Sequence, residues 1–85
     1  MNSPSAMKVY KVVEVEIEGL GADIEAARRQ DPRSLKDICE AANGMSPVNW
    51  SRIEKEQQRL PVETLRTIEK VLDKDFGVVV PGEDG

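Results

Sequence analysis

The chain has 85 residues, 39% hydrophobic and 33% charged, with a net charge of −4 at pH 7, which fits one small soluble globular domain. Histidine is absent and Cys39 is the single cysteine, so a disulfide framework is excluded and the commonest general base and metal ligand are missing. No apolar run approaches the roughly 20 residues of a membrane span. We therefore expect a cytoplasmic protein without a membrane partner, a cofactor or a metal, and not an enzyme.

The chain begins with a polar stretch followed by a segment of strand character. We expect residues 1–7 to form a disordered leader, because they contain no apolar segment typical of a signal peptide. Residues 8–17, KVYKVVEVEI, are rich in β-branched residues, and Val13, Val15 and Ile17 alternate with glutamates. This pattern predicts one strand at the start of a single domain that covers residues 8–80.

Two helices are predicted after this strand. Gly19 and Gly21 are interpreted as a strand-to-helix turn, because a phosphate-binding fingerprint requires a third glycine within a βαβ unit. Helical spacing of apolar residues then runs from Leu20 until Pro32 ends the first helix. Ser34 is expected to cap the second helix. Its apolar stripe is Leu35, Ile38, Cys39 and Ala42, so Cys39 is predicted to be a small core residue.

A glycine-containing turn connects the second helix to a short third helix. Asn43 and Gly44 are expected to end the second helix, Ser46 to cap the third, and Pro47 to occupy its first position. We expect the third helix to cover residues 46–56. Trp50 and Ile53, three residues apart, form its predicted buried side.

The last predicted elements are a fourth helix from about Pro61 to Leu72, a second short strand FGVVV (residues 76–80) and a polar tail of residues 81–85. The sequence therefore predicts a mainly α fold, with a helical core of residues 20–72 and flanking N- and C-terminal β-strands.

Several short motifs in this core occur in a recognisable order. They are SLKDIC from Ser34, GMS from Gly44, SRIE from Ser51 and ETLRTI from Glu63. In this order they resemble the helix-turn-helix family of Cro and the phage repressors, also called XRE-type. The resemblance implies a four-helix, lambda-repressor-like helix-turn-helix core that binds double-stranded DNA, with the third helix in the major groove.

The same resemblance implies roles for individual residues. The candidate DNA contacts that it implies are Ser46, Pro47, Val48, Ser51 and Arg52. Local positive charge adds Lys55 and Arg59, on or just after the third helix, and Lys36 on the second helix as a candidate phosphate contact. Among them Arg52 is the best candidate for a specific base contact, because a guanidinium can donate two hydrogen bonds to guanine. Arg28 and Glu54 occupy the places of a structural ion pair. Asn43 is one residue more than the family pattern has in its turn.

Two functions are compatible with these observations. The first is a repressor-like, sequence-specific regulator of transcription, for which a homodimer formed by pairing of the terminal strands would suit a palindromic site. The alternative is a protein-interaction module on the same fold, such as an antitoxin-like or anti-regulator subunit. The acidic net charge favours this alternative, because DNA-binding domains usually carry a basic surface.

Overall fold

A computed structural model describes residues 6–10 and 14–81, and this part of the chain is mainly helical, as the sequence predicts. It contains four helices and three short strands. In chain order these are β1 (Ala6–Tyr10), β2 (Glu14–Glu18), α1 (Leu20–Gln30), α2 (Leu35–Ala41), α3 (Pro47–Glu54), β3 (Leu60–Pro61) and α4 (Val62–Leu72).

The helix starts follow the capping residues predicted from the sequence. The Ser34 hydroxyl accepts a hydrogen bond from the backbone N–H of Asp37 at 3.1 Å, at the start of α2. Ser46 does the same for the N–H of Asn49 at 3.1 Å, with Pro47 in the first turn of α3. Each cap satisfies one backbone donor that a helix leaves without an intrahelical partner.

The predicted single strand over residues 8–17 is wrong, because the described residues form two antiparallel strands. β1 lies at the centre of a sheet of order β2-β1-β3, with Met7 opposite Ile17 and Val9 opposite Val15. Met7 and Val9 are buried in the core, and Val15 and Ile17 pack against it. Folding back of the strand segment thus covers the helices with two apolar rows. Val13 lies outside the described residues.

The expected disordered leader of residues 1–7 is also wrong at its end. Ala6 and Met7 belong to β1, and Met7 is only 1% exposed. Burial of this large apolar side chain stabilises the strand that carries it. Residues 1–5 lie outside the described part of the chain.

The FGVVV segment is not a strand, which corrects the predicted C-terminal strand and its pairing with the N-terminal one. Val78 and Val80 are buried in the core. The Phe76 N–H donates to Glu69 of α4 at 2.9 Å, and Arg66 donates to the Val78 carbonyl at 2.6 Å. The segment therefore packs along α4.

The other edge of β1 is occupied by β3, which pairs with it in parallel. Residues 82–85 of the predicted tail lie outside the described residues.

The core is aliphatic around one tryptophan. Trp50 and Ile53 are buried, as predicted, together with one apolar side of each of α1, α2 and α4. Cys39 is buried as well, and this burial raises the pKa of its thiol above the usual value. No helix in the described part of the chain combines the length and the apolar character that crossing a bilayer requires.

Candidate nucleic-acid interface

Helix α3 presents one face to the core and the opposite face to solvent. Trp50 and Ile53 lie on the buried face. Val48, Arg52 and Lys55 follow one another at intervals of four and three residues, which places them along one side of the helix, and all three are exposed. With the half-buried Ser51 beside them, we call these four residues the α3 stripe.

The helix is shorter than the predicted residues 46–56. It ends at Glu54, and Lys55 is its C-cap. Glu56 has a φ of 58°, a left-handed conformation that stops the helix. The side chain of Glu56 consequently points away from the α3 stripe and contacts α1.

Glu54 joins α3 to α1 through a group of partly buried hydrogen bonds. Its carboxylate accepts from Arg28 Nε at 2.5 Å and from Arg28 Nη2 at 3.0 Å, a bidentate ion pair between the two residues that the sequence analysis paired. The indole N–H of Trp50 donates to the same carboxylate at 2.6 Å. The Glu54 side chain is only 8% exposed. The hydrogen bonds to Glu54 also raise the pKa of Arg28.

Glu56 makes a second contact with α1. One of its carboxylate oxygens accepts from the backbone N–H of Gly21 at 2.9 Å, in the first turn of α1. A carboxylate at this place also meets the positive end of the helix dipole. Gly21 allows the close approach, because a Cβ there would lie 2.4 Å from the Glu54 carbonyl oxygen. No pattern in the sequence indicates this role of Glu56.

The remaining predicted contact residues surround the α3 stripe. Ser46 and Pro47 are exposed at the start of α3, and Lys36 is exposed on α2. The Ser46 oxygen accepts the capping hydrogen bond, so its hydroxyl hydrogen is the group that can donate to a ligand. Asp37 and Glu40 are also exposed on α2 and reduce its positive charge. Of the four basic residues among the predicted contacts, three lie on α3 or in the residues that follow it, namely Arg52, Lys55 and Arg59.

The connection from α3 to β3 is tied to α3 itself. Gln58 donates through its side-chain amide to the Asn49 side chain at 2.8 Å, and the Gln57 N–H donates to the Arg52 carbonyl at 2.9 Å. These contacts hold the exposed Arg59 in the segment that directly follows the α3 stripe. The role of Gln58 could not be predicted from the sequence, because a polar residue in a loop carries no signal for such a bond.

The residues of this surface suit recognition of an anion or a base edge. They offer guanidinium, ammonium and hydroxyl donors and one apolar side chain, that of Val48.

In the described ranges, 6–10 and 14–81, no group of three or more acidic or cysteine side chains could hold a metal ion. Comparison of the chain with protein-family models, curated proteins and solved structures found no match. A functional interpretation therefore depends on the motifs and on the geometry of this surface.

Proposed function

We propose that the protein is a sequence-specific, DNA-binding regulator of transcription that inserts α3 into the major groove. In this proposal α2, the turn and α3 form the helix-turn-helix unit, with Asn43 and Gly44 in the turn at φ values of 59° and 73°. The eight residues of α3 give it a length of about 12 Å. An α-helix is about 10–12 Å across with its side chains, and a major groove about 12 Å wide admits one.

The observation that carries the proposal is the orientation of the two glutamates at the end of α3. In sequence Glu54 and Glu56 dilute the positive charge of Arg52 and Lys55. In the folded chain both carboxylates bind groups of α1 instead. The α3 stripe consequently presents two basic side chains and no carboxylate, although the net charge of the chain is −4.

The chemistry of each residue suggests its role in the proposed complex. Arg52 would donate two hydrogen bonds to a guanine. Phosphate contacts position a protein on the duplex without reading its sequence, and exposed basic and hydroxyl side chains supply them. We assign this positioning role to Lys36, Ser46, Ser51, Lys55 and Arg59.

A homodimer stays within the proposal, although not through pairing of the terminal strands. Two-fold pairing of the free β2 edge would bring glutamates of the two copies together, and like charges opposite each other destabilise a sheet. We therefore expect a monomer in free solution and two copies on a palindromic site, with the α3 helices about 34–36 Å apart. Sedimentation with and without duplex DNA measures the number of copies in each state. A stable free dimer would contradict it.

Two substitutions test the assignment of base and phosphate contacts. Arg52→Ala should weaken binding to a selected sequence by about 1–3 kcal/mol and relax the sequence preference, as expected for a lost bidentate base contact. Lys36→Ala should weaken binding to all sequences alike and reduce the salt dependence. Arg29→Ala and Lys70→Ala, which remove exposed basic side chains of α1 and α4, serve as controls. Equal, small effects of all four substitutions would contradict the proposed contacts.

The alternative function is a protein-interaction module, such as an antitoxin-like or anti-regulator subunit. Two observations favour it: the net charge of −4, and an edge of β2 that pairs with no other described strand, where Glu16 and Glu18 are exposed. An exposed strand edge can pair with an extended segment of another protein. In that case binding would involve β2, and substitution of Arg52 would leave it unchanged.

A further inference from the structure

Val48 is exposed and does not belong to the hydrophobic core. Its fractional exposure is 61%, and among the described residues the other exposed large hydrophobic side chain is Val79, at 81%. Val79 lies between two buried valines in the segment that packs along α4. The exposure of Val48 has no such explanation. Val48 is the second residue of α3 and the first residue of the α3 stripe.

At the start of α3, Ser46 is the side chain that can donate a hydrogen bond, and we assign that donor to a phosphate. Pro47 has no backbone N–H and Val48 has no polar side-chain atom. The oxygen of Ser46 already caps the helix. A contact between Val48 and a base edge must therefore be apolar. In the major groove the apolar group that distinguishes one standard base from the others is the C5-methyl group of thymine.

We propose that Val48 is a specificity-determining residue that reads the 5-methyl group of a thymine in the major groove. The inference rests on the proposed function and names the base that this part of the surface recognises. Arg52 lies four residues further along the same side of α3, about 6 Å along the helix axis. This separation corresponds to about two base-pair steps of 3.4 Å. The thymine read by Val48 and the guanine read by Arg52 are therefore close neighbours in the site.

The test uses the full chain and a duplex selected from a randomised pool at low salt. Affinity is measured for this duplex and for versions in which deoxyuridine replaces each thymine in turn, which removes only the methyl group. The variants are Val48→Ala and, as a matched control, Val79→Ala, which shortens the other exposed valine. Thermal melting of both variants verifies that they fold like the wild type.

The wild type and Val79→Ala should bind about fourfold more weakly when the contacted thymine is replaced, a factor that corresponds to roughly 0.8 kcal/mol for one buried methyl group. Val48→Ala should bind the thymine and deoxyuridine duplexes equally. Equal binding of both duplexes by the wild type would overturn the inference about Val48 and leave the proposed function standing. A Val48→Ala variant that keeps the full difference in affinity between the thymine and deoxyuridine duplexes would also overturn it. Recovery of no bound duplex at low salt would overturn the inference and the proposed function together.

Discussion

At the scale of single residues, Trp50 connects the core to the candidate interface. Its ring is fully buried, while its indole N–H donates to Glu54 at 2.6 Å. Glu54 in turn binds Arg28 of α1. A buried aromatic ring contributes a large apolar area, and its N–H requires a partner. Trp50 therefore fixes the rotation of α3 and, with it, the direction of the α3 stripe.

Trp50→Ala should lower the free energy of unfolding by about 3–5 kcal/mol, the cost typical of a large-to-small change in a core. Trp50→Phe, which keeps a ring but loses the N–H, should have a smaller effect. The free energy of unfolding of both variants is measured by denaturant unfolding. Circular dichroism follows the transition, because both variants lack the single tryptophan. An unchanged melting temperature of Trp50→Ala would mean that the ring is exposed and that α3 is rotated.

Arg33 connects the link between α1 and α2 to the end of α4. Its guanidinium binds Asp31 at 2.7 and 2.9 Å and donates to the Val71 carbonyl at 2.7 Å. Its backbone N–H also donates to Asp31, at 2.9 Å. The side-chain and backbone hydrogen bonds from Arg33 lower the pKa of Asp31 from 3.8 to about 2. The ionised form of Asp31 therefore stabilises the folded state.

This depressed pKa of Asp31 predicts a pH dependence of stability. Because the folded-state pKa lies below the ordinary value, the contribution is complete above about pH 4 and is lost as the pH falls towards about 2. Asp31→Asn should therefore lose less stability than the wild type between pH 5 and pH 2, although it is less stable at pH 7. Asp73→Asn, at the end of α4, is the charge-matched control. Parallel acid-unfolding curves for wild type and Asp31→Asn would contradict the prediction.

At the scale of elements, the contact between α1 and α3 determines which side of α3 faces solvent. Gly21 allows the backbones to approach, and Arg28, Glu54 and Glu56 connect the two helices by hydrogen bonds. Both carboxylates at the end of α3 are used in this contact. The position of α1 thus decides both the orientation and the charge of the candidate interface.

Gly21→Ala tests this contact. The gain in helix propensity from glycine to alanine is at most about 1 kcal/mol, and the alanine Cβ would lie 2.4 Å from the Glu54 carbonyl oxygen. We expect the overpacking cost of about 1–3 kcal/mol to dominate and the NMR resonance of the Trp50 indole N–H to shift. Gly19→Ala, which strains a left-handed φ of 74° with nothing nearby, should leave that resonance in place. A more stable Gly21→Ala protein with an unchanged indole signal would contradict the account.

The sequence predicted the helices better than the strands, for a physical reason. Capping by Ser34 and Ser46 and breaks at Pro32 and Gly44 are local signals, and the helices begin and end close to them. Strand pairing is a long-range event. The run KVYKVVEVEI contains no Gly, Pro, Asn or Asp to mark a turn, and its β-branched composition indicates extended backbone without naming a partner. The two residues of β3 are too few to give a periodic pattern.

At the scale of the whole molecule, the sequence predicted the exposed candidates of the interface but not what positions them. The spacing of Trp50 and Ile53 fixed the buried side of α3, and the exposed side followed. Contacts of Glu56 with Gly21 and of Gln58 with Asn49 arise from the folded arrangement, which no local pattern encodes. The net charge does not describe this surface, because it does not show where each carboxylate points.

The central claim is that α3 and the residues after it bind the DNA backbone and base edges. The most direct measurement is an NMR titration of labelled protein with random-sequence duplex at low and at high salt. The account predicts amide shifts concentrated in residues 46–59 that weaken steeply as salt rises, because phosphate binding releases counterions. No shifts in this range at low salt, or salt-insensitive shifts confined to β1 and β2, would contradict the claim and favour a protein-interaction module.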